Sequence, residues 1–213
     1  MIAEQPILAK TYYTGSDVVS IAKSLLGKKI ISMAGNEVTS GIIVETEAYR
    51  GPDDRGCHAY GNRHTERTKT MFEPGGAAYV YICYGMHPML NVVTGKKDEP
   101  HAVLIRAIEP VDGIEVMMKR RKLNKPSYQL TNGPGKLAVA LGISKILDGT
   151  VFYEGDSPIN IVEANTLEDE IHIVSGLRVG MSVHVGPCAY RPWRFYIKDN
   201  KWVSKPSVVK YDF

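Results

Sequence analysis

The chain has 213 residues, of which 44% are apolar and 23% charged, enough to fill a sizeable core in one large domain or two small ones. No apolar run approaches the length that spans a bilayer, and the N-terminus has no apolar segment of signal-peptide length. The three cysteines are odd in number and lack C-x-x-C spacing, which argues against a disulfide framework or a zinc site. We therefore expect a cytoplasmic protein without a membrane partner, in a reducing compartment.

The net charge is +3, and the basic residues occur in groups. One run, 119–125, reads KRRKLNK, and further basic residues cluster at 63–69 and 191–198. This distribution is compatible with a polyanionic partner, and equally with solvated surface charge.

The first predicted element is a helix at 16–28, with Ser16 as its N-cap and Gly27 as its stop. The segment 150–190 is rich in Val, Ile and Gly and predicts short strands with turns. Strands and helices do not alternate regularly, which favours an α+β fold in a single domain, 1–213, with a largely antiparallel sheet. The other predicted strands are 40–49, 77–84, 89–94, 102–108 and 193–197, and the other helices lie near 112–122 and 134–141.

The strand 42–49 carries two acids where a core strand is expected. Side chains alternate between the two faces of a strand. Either this strand has a solvated acidic side, or it forms a pocket wall that holds a carboxylate beside an aromatic ring. The alternation places Ile43, Glu45, Glu47 and Tyr49 on one face, and Ile42, Val44, Thr46 and Ala48 on an ordinary core face.

A hairpin is predicted at 77–93, with its connection near Tyr84. Tyr79 and Tyr81 share a strand face with Cys83. These rings are explained either as core aromatics with one exposed loop residue, or as a base-stacking surface with a wedge at the hairpin tip.

Two polar residues interrupt apolar strands. Asn91 lies within MLNVV and must satisfy backbone groups or contact a ligand edge. Arg106 lies within AVLIRAIEP, and a buried arginine needs an anionic partner. Glu45 or Glu47 is the natural candidate, in a structural or a functional ion pair.

The sequence lacks the strong signatures of several enzyme classes. His58 and His64 have no recognised metal-ligand spacing, so no metal and no cofactor are predicted. No zinc-deaminase motif, nucleophile elbow or phosphate-binding lysine loop is present.

Several runs together resemble the alkyladenine (3-methyladenine) DNA glycosylase family. The similarity extends in order from about residue 8 to residue 206 and is weakest over 144–175, which includes the acidic run 168–170. The runs are VETEAY (44–49), CHAYGNRHTERTKTMF (57–72), YVYICYGMHPMLN (79–91), AVLIRAIEP (102–110), NGPGKLAVALGI (132–143), LRVG (177–180) and PWRFYIKDNKWVS (192–204).

The resemblance implies that Glu47 is a general base that activates the water attacking C1′ of the deoxyribose. Arg106 and the backbone carbonyl of Val179 are implied to hold that water. The chemistry is sound, since a carboxylate both stabilises an oxocarbenium-like sugar and deprotonates water. An adjacent arginine favours its ionised form.

The remaining implied roles concern DNA. Tyr49, His58 and Tyr81 match residues that enclose the flipped base, and Tyr84 matches the residue inserted into the duplex. Asn91 matches an asparagine that crowds the exocyclic amino group of guanine. Residues implied to lie near the DNA backbone are Arg63, Thr65, Met86 and Lys136. The sequence departs from an aromatic residue expected near the hairpin tip in some family members, because it reads Met86-His87-Pro88.

The family implies a curved sheet with surrounding helices and a protruding hairpin. It also implies a monofunctional, monomeric enzyme that releases alkylated or deaminated purines from double-stranded DNA with water. Three alternatives remain open: a nucleic-acid-binding module without catalysis, a metal-dependent hydrolase using His58, His64 and Glu45 or Glu47, and an enzyme on a similar sheet with a formyl or sugar substrate.

Overall fold

The computed structural model describes residues 5–164 and 171–205, apart from the side chain of Val183. The acidic run 168–170 lies outside these residues. The strands are β1 Lys29–Ser32, β2 Thr39–Arg50, β3 Ala78–Cys83, β4 His87–Thr94, β5 His101–Asp112, β6 Ile159–Val162, β7 Ile173–Gly176 and β8 Arg194–Ile197. The α-helices are α1 Lys10–Tyr13, α2 Val18–Ser24, α3 Ile114–Arg121 and α4 Pro134–Ala140. Short 3-10 helices occupy Ala34–Asn36, Tyr60–Asn62, Lys69–Phe72, Tyr128–Leu130, Lys145–Leu147 and Val183–Tyr190.

The strands form one curled sheet in which each recorded strand pair is antiparallel. The order is β3-β4-β5-β2-β1-β6, and β8 pairs with both β2 and β7. Central strand β2 has β5 along one edge and shares its other edge between β1 and β8. The main core contains side chains from the sheet and from helices α2, α3 and α4. The predicted α+β class with a curved antiparallel sheet is confirmed.

Helix α2 begins one residue later than the sequence indicated. The N-cap is Asp17, whose carboxylate accepts hydrogen bonds from the backbone N–H groups of Val19 and Ser20. The prediction of Ser16 as N-cap was therefore wrong. A carboxylate at this position also interacts favourably with the helix dipole, which explains why aspartate caps the helix although serine is an equally common cap.

We expect Asp17→Ala to lower the free energy of unfolding by about 1 kcal/mol, because two N–H groups lose their acceptor. In a chain of this size that corresponds to roughly 2–4 °C in Tm. Ser16→Ala is the matched control and should leave Tm unchanged. Thermal melts of the three proteins decide between the caps, and an equal loss in Ser16→Ala would contradict this assignment.

A pair of β-bulges changes which side chains share a face of the sheet. The β2–β5 register shifts between Ile43 and Glu45, and again between Glu45 and Thr46. Such a bulge interrupts the alternation of a strand. Ile43 consequently packs in the same core cluster as Ala48, and its predicted place beside the acids was wrong. The second shift places Arg106 of β5 as the extra residue opposite the acids of β2.

Part of the basic run 119–125 stabilises the fold. Arg120 donates to the carbonyls of Ala34 and Ala140, and Arg121 donates to those of Leu130 and Gln129. Two of the cations expected to be free for a polyanion therefore hold loops against helix α3. The exposed lysines of the run are Lys119, Lys122 and Lys125.

No helix in the described part of the chain is long and apolar enough to cross a membrane.

Candidate active site

A cavity of about 300 Å³ opens where β2 to β5 meet the 177–181 loop, which is within the usual range for small-ligand sites. Its lining is mostly aromatic and apolar, with a few polar groups. The lining residues are Tyr49, Gly56, Cys57, His58, Met71, Tyr79, Tyr81, Cys83, Tyr84, Met89, Asn91, Ala102, Leu104, Arg106, Pro134, Val179, Gly180 and Met181.

Glu47 is fully buried and lies behind the cavity wall, because it is not itself among the lining residues. Oε1 accepts from the backbone N–H of Val179 at 2.6 Å. Oε2 accepts from the Tyr49 hydroxyl at 2.8 Å and lies 3.3 Å from Nη1 of Arg106. These three partners all line the cavity. Val179 contacts Glu47 through its backbone N–H. The predicted role of its carbonyl in holding the water stays a prediction.

Arg106 connects both acids of β2. Its Nε donates to Oε1 of Glu45 at 2.9 Å, while Nη1 faces Glu47. Burial lowers the pKa of Arg106, but Glu47 and Glu45 raise it by more, so the net shift is upward. The predicted ion pair therefore involves both candidate partners.

Glu45 is also fully buried and collects hydrogen bonds from three residues. Arg194 Nε donates at 2.6 Å, and both the N–H and the hydroxyl of Ser204 donate at 2.8 Å. Burial raises the pKa of Glu45, but Arg106, Arg194 and the Ser204 N–H outweigh it and hold the pKa below its usual range.

A second buried ion pair anchors the loop that carries Val179. The guanidinium of Arg178 pairs with Asp54 through two hydrogen bonds, and both side chains have no solvent exposure. The same guanidinium donates to the carbonyls of Ala48 and Cys188 and lies 4.7 Å from the ring centroid of Tyr49. Arg178 therefore packs against the Tyr49 ring and, through its own contacts, anchors the backbone next to Val179.

The opposite wall of the cavity is aromatic. Nδ1 of His58 lies 2.9 Å from the Tyr79 hydroxyl. The imidazole and the Tyr81 ring are arranged edge to face, with 4.6 Å between their centroids. Burial, with the nearby Arg67 and Arg63 cations, lowers the pKa of His58 to about 4, so the imidazole is neutral at physiological pH. Burial also raises the pKa of Tyr81 to about 12, which keeps its phenol protonated.

Asn91 and Tyr84 stand on the same hairpin as that wall. The Asn91 side chain donates to the backbone carbonyls of Tyr79 and Met89 and still lines the cavity. Tyr84 is 88% exposed and adopts φ 49°, a backbone conformation that is unusual for a bulky residue. Such local strain is often found at functional positions.

The residues predicted to lie near the DNA backbone are outside the cavity lining. Arg63 and Thr65 are exposed, and Met86 at the hairpin tip is 69% exposed. Lys136 is half-buried and donates to Asn132. Their predicted roles remain predictions.

The histidines do not converge with a carboxylate. His58 contacts Tyr79 and Tyr81, while His64 packs against Phe72. Over residues 5–164 and 171–205, no group of three or more His, Cys, Asp or Glu side chains is placed to hold a metal ion.

Sequence reasoning missed three residues of this site. All three were quoted only as parts of longer motifs, Arg178 in LRVG and both Arg194 and Ser204 in PWRFYIKDNKWVS. The role of Ser204 comes from a contact with a residue 159 positions away, which its own motif does not indicate. The one signal that could have been used is the arginine directly before Val179 in LRVG. If such an arginine is buried, it must be paired with an acid.

Comparison with known proteins assigns the family. A sequence model described as methylpurine-DNA glycosylase matches residues 12–201. A Bacillus cereus (strain AH820) protein is 42% identical over 201 residues, covering 92% of this chain and 97% of that protein. A Chlamydia pneumoniae protein is 56% identical over 139 residues, covering 65% of this chain and 71% of that protein. Both carry the name "Putative 3-methyladenine DNA glycosylase". The chain therefore belongs to the methylpurine-DNA glycosylase family, enzymes of DNA repair that hydrolyse N-glycosyl bonds.

Proposed function

We propose that this enzyme flips alkylated or deaminated purines, of the 3-methyladenine, hypoxanthine and ethenoadenine type, out of duplex DNA and hydrolyses their N-glycosidic bond. A water activated by Glu47 is the nucleophile, and the product is an abasic site that starts base excision repair. The observation that carries the proposal is the buried Glu47 carboxylate, held by Tyr49, Arg106 and Val179, which all line an aromatic cavity.

The surroundings of Glu47 support its role as the base. An arginine and two hydrogen-bond donors surround the carboxylate and hold it in one orientation. The charge therefore stands ready where positive charge develops on the sugar during glycosidic cleavage. It also accepts the proton of the attacking water.

The aromatic side chains of the cavity are suited to bind the flipped base. Rings of Tyr49 and Tyr81 offer stacking surfaces, which favour a cationic alkylated purine through cation–π attraction. Nδ1 of His58 pairs with the Tyr79 hydroxyl, and Nε2 accepts from Arg67 Nη2 at 3.3 Å, so a hydrogen bond from His58 to the base replaces the Arg67 contact. Asn91 is fixed by two backbone carbonyls, so it does not move aside for the exocyclic amino group of guanine.

The hairpin tip supports base flipping. Tyr84 fills the space left in the duplex, while Arg63, Thr65, Met86 and Lys136 lie near the phosphate backbone. These contacts give the salt-dependent affinity of a DNA-binding protein.

We expect Tyr84→Asn to weaken binding to lesion-containing duplex by about 5- to 150-fold, since one stacking contact contributes about 1–3 kcal/mol. Asparagine tolerates the backbone conformation of this position, so Tm should stay unchanged. Ile146→Asn removes an equally exposed side chain, at 89%, and is the matched control. Equal affinities of wild type and Tyr84→Asn in a titration with labelled duplex would remove Tyr84 from the DNA interface.

The chain is proposed to act as a monomer, without a cofactor, on the DNA of the bacterial cytoplasm. The bacterial origin of its relatives supports this location. Among the residues that the structure describes, no lysine lines the cavity, which supports a monofunctional reaction with water over a covalent amine intermediate.

The test is a base-release panel. Duplex oligonucleotides with a single hypoxanthine or ethenoadenine, and genomic DNA methylated with a simple alkylating agent, are incubated with excess enzyme. We expect release of damaged purines and no release from an undamaged duplex. Failure to release any base from all three DNAs would overturn the proposal.

A further inference from the structure

We propose that Glu45 is a positioning residue of this reaction: with Arg194 and Ser204 it holds the Arg106 guanidinium in the orientation that reaches Glu47. This inference rests on the proposed role of Glu47. Of the three residues that donate hydrogen bonds to Glu45, Arg106 is the one that lines the cavity, whereas all three partners of Glu47 line it; Glu45 therefore acts through Arg106.

The two acids contact different nitrogen atoms of the same guanidinium. Arg106 presents Nε to Glu45 and Nη1 to Glu47. Since a guanidinium is planar and rigid, fixing Nε also fixes the direction of Nη1. The Nη2 group lies 3.5 Å from the Ser204 hydroxyl, so the third nitrogen is oriented by the same cluster.

The C-terminal loop completes the cluster of Glu45, Arg106, Arg194 and Ser204. Ser204 contributes two donors to Glu45 and its carbonyl accepts from Arg194 Nη2 at 3.0 Å. Arg194 belongs to β8, which pairs with β2 directly opposite the acids. Donors from β5, from β8 and from the C-terminal loop therefore converge on one carboxylate, which is more than an isolated structural ion pair requires.

Charge balance gives Glu45 a second effect on Glu47. Two buried carboxylates share two arginines, Arg106 and Arg194. Neutralising Glu45 leaves these arginines with an excess of positive charge next to Glu47. The other groups that face Glu47 are Tyr49, Tyr81 and Arg178, and they are unchanged by such a substitution.

The experiment measures single-turnover base release and duplex affinity for wild type, Glu45→Gln and Glu45→Asp on a hypoxanthine duplex. In Glu45→Gln the amide group cannot accept from all its present donors, so Arg106 loses its fixed orientation. We expect a rate lower by about 10²-fold, the effect of a small misplacement at a reacting centre, with Kd for the duplex unchanged. Glu45→Asp, which keeps the negative charge, should recover part of the rate.

Glu109→Gln is the matched control, because Glu109 accepts from Asn200 of the same C-terminal loop at 2.9 Å without touching Arg106. It should behave as wild type. If Glu45→Gln fails to fold, Ser204→Ala, which removes only one hydroxyl from the cluster, should show the same changes at smaller size.

The inference is overturned if Glu45→Gln, or Ser204→Ala in its place, releases base at the wild-type rate, or if Glu109→Gln loses as much rate as Glu45→Gln. A Glu47→Gln protein measured alongside separates the two proposals. Loss of base release in Glu47→Gln with a wild-type rate in Glu45→Gln refutes only the role of Glu45, whereas a wild-type rate in Glu47→Gln refutes the proposed function.

Discussion

Replacing Glu47 with glutamine is expected to slow base release in a single turnover by about 10²- to 10⁴-fold, the usual contribution of a general base. Glutamine retains the shape of the side chain but carries no charge and accepts no proton from water. Tyr49, Arg106 and Val179 all donate to the carboxylate. In the variant, the NH₂ group of the glutamine would point at one or more of these donors and could not accept from them.

Affinity for the lesion-containing duplex should remain within a few-fold of wild type, because Glu47 is buried behind groups that line the cavity. Titration with labelled duplex and a thermal melt verify binding and folding. Glu109→Gln removes a carboxylate outside the cavity and should release base at the wild-type rate. A wild-type rate in Glu47→Gln would assign the activation of water to another group.

Replacing Arg178 with methionine is expected to lower the free energy of unfolding by about 3–5 kcal/mol, because Asp54 would remain as an unpaired buried charge. For a chain of this length the loss corresponds to roughly 6–20 °C in Tm. The carbonyls of Ala48 and Cys188 lose their donor as well. Base release should also fall, since the loop of Val179 loses its anchor.

The double variant Asp54→Leu with Arg178→Met provides the matched comparison. Buried ion pairs are often replaced by apolar side chains with little loss of stability, so the double variant should recover much of the lost Tm. Recovery of stability without recovery of base release would show that the anchor serves the site as well as the fold. A Tm loss below about 1 °C in Arg178→Met would contradict the role given to this pair.

The sequence was sufficient for those features that depend on short-range patterns. Alternation and turn residues located the strands around Glu47 and the hairpin of Tyr84, because strand period and turn chemistry are local properties. An arginine inside an apolar strand was correctly paired with an acid, since burial of an unpaired charge is too costly.

Features that depend on register and long-range contact could not be predicted from such patterns. The bulges that move Ile43 into the core arise only when β2 and β5 pair, and no residue type marks them. Asp54 and Arg178 are separated by 124 positions, so their pairing arises only in the folded chain. The basic run at 119–125 likewise reads as free charge until helix α3 meets the carbonyls that Arg120 and Arg121 bind.

The most direct test of the account is a single-turnover reaction of wild-type enzyme with a hypoxanthine duplex in EDTA, one half quenched with borohydride. Water activated by Glu47 requires neither a metal ion nor an amine nucleophile. The account predicts complete release of the base at the rate seen without chelator, an intact strand bearing an abasic site, and no cross-link between enzyme and DNA. Release that stops in EDTA, or a borohydride-trapped covalent complex, would contradict it.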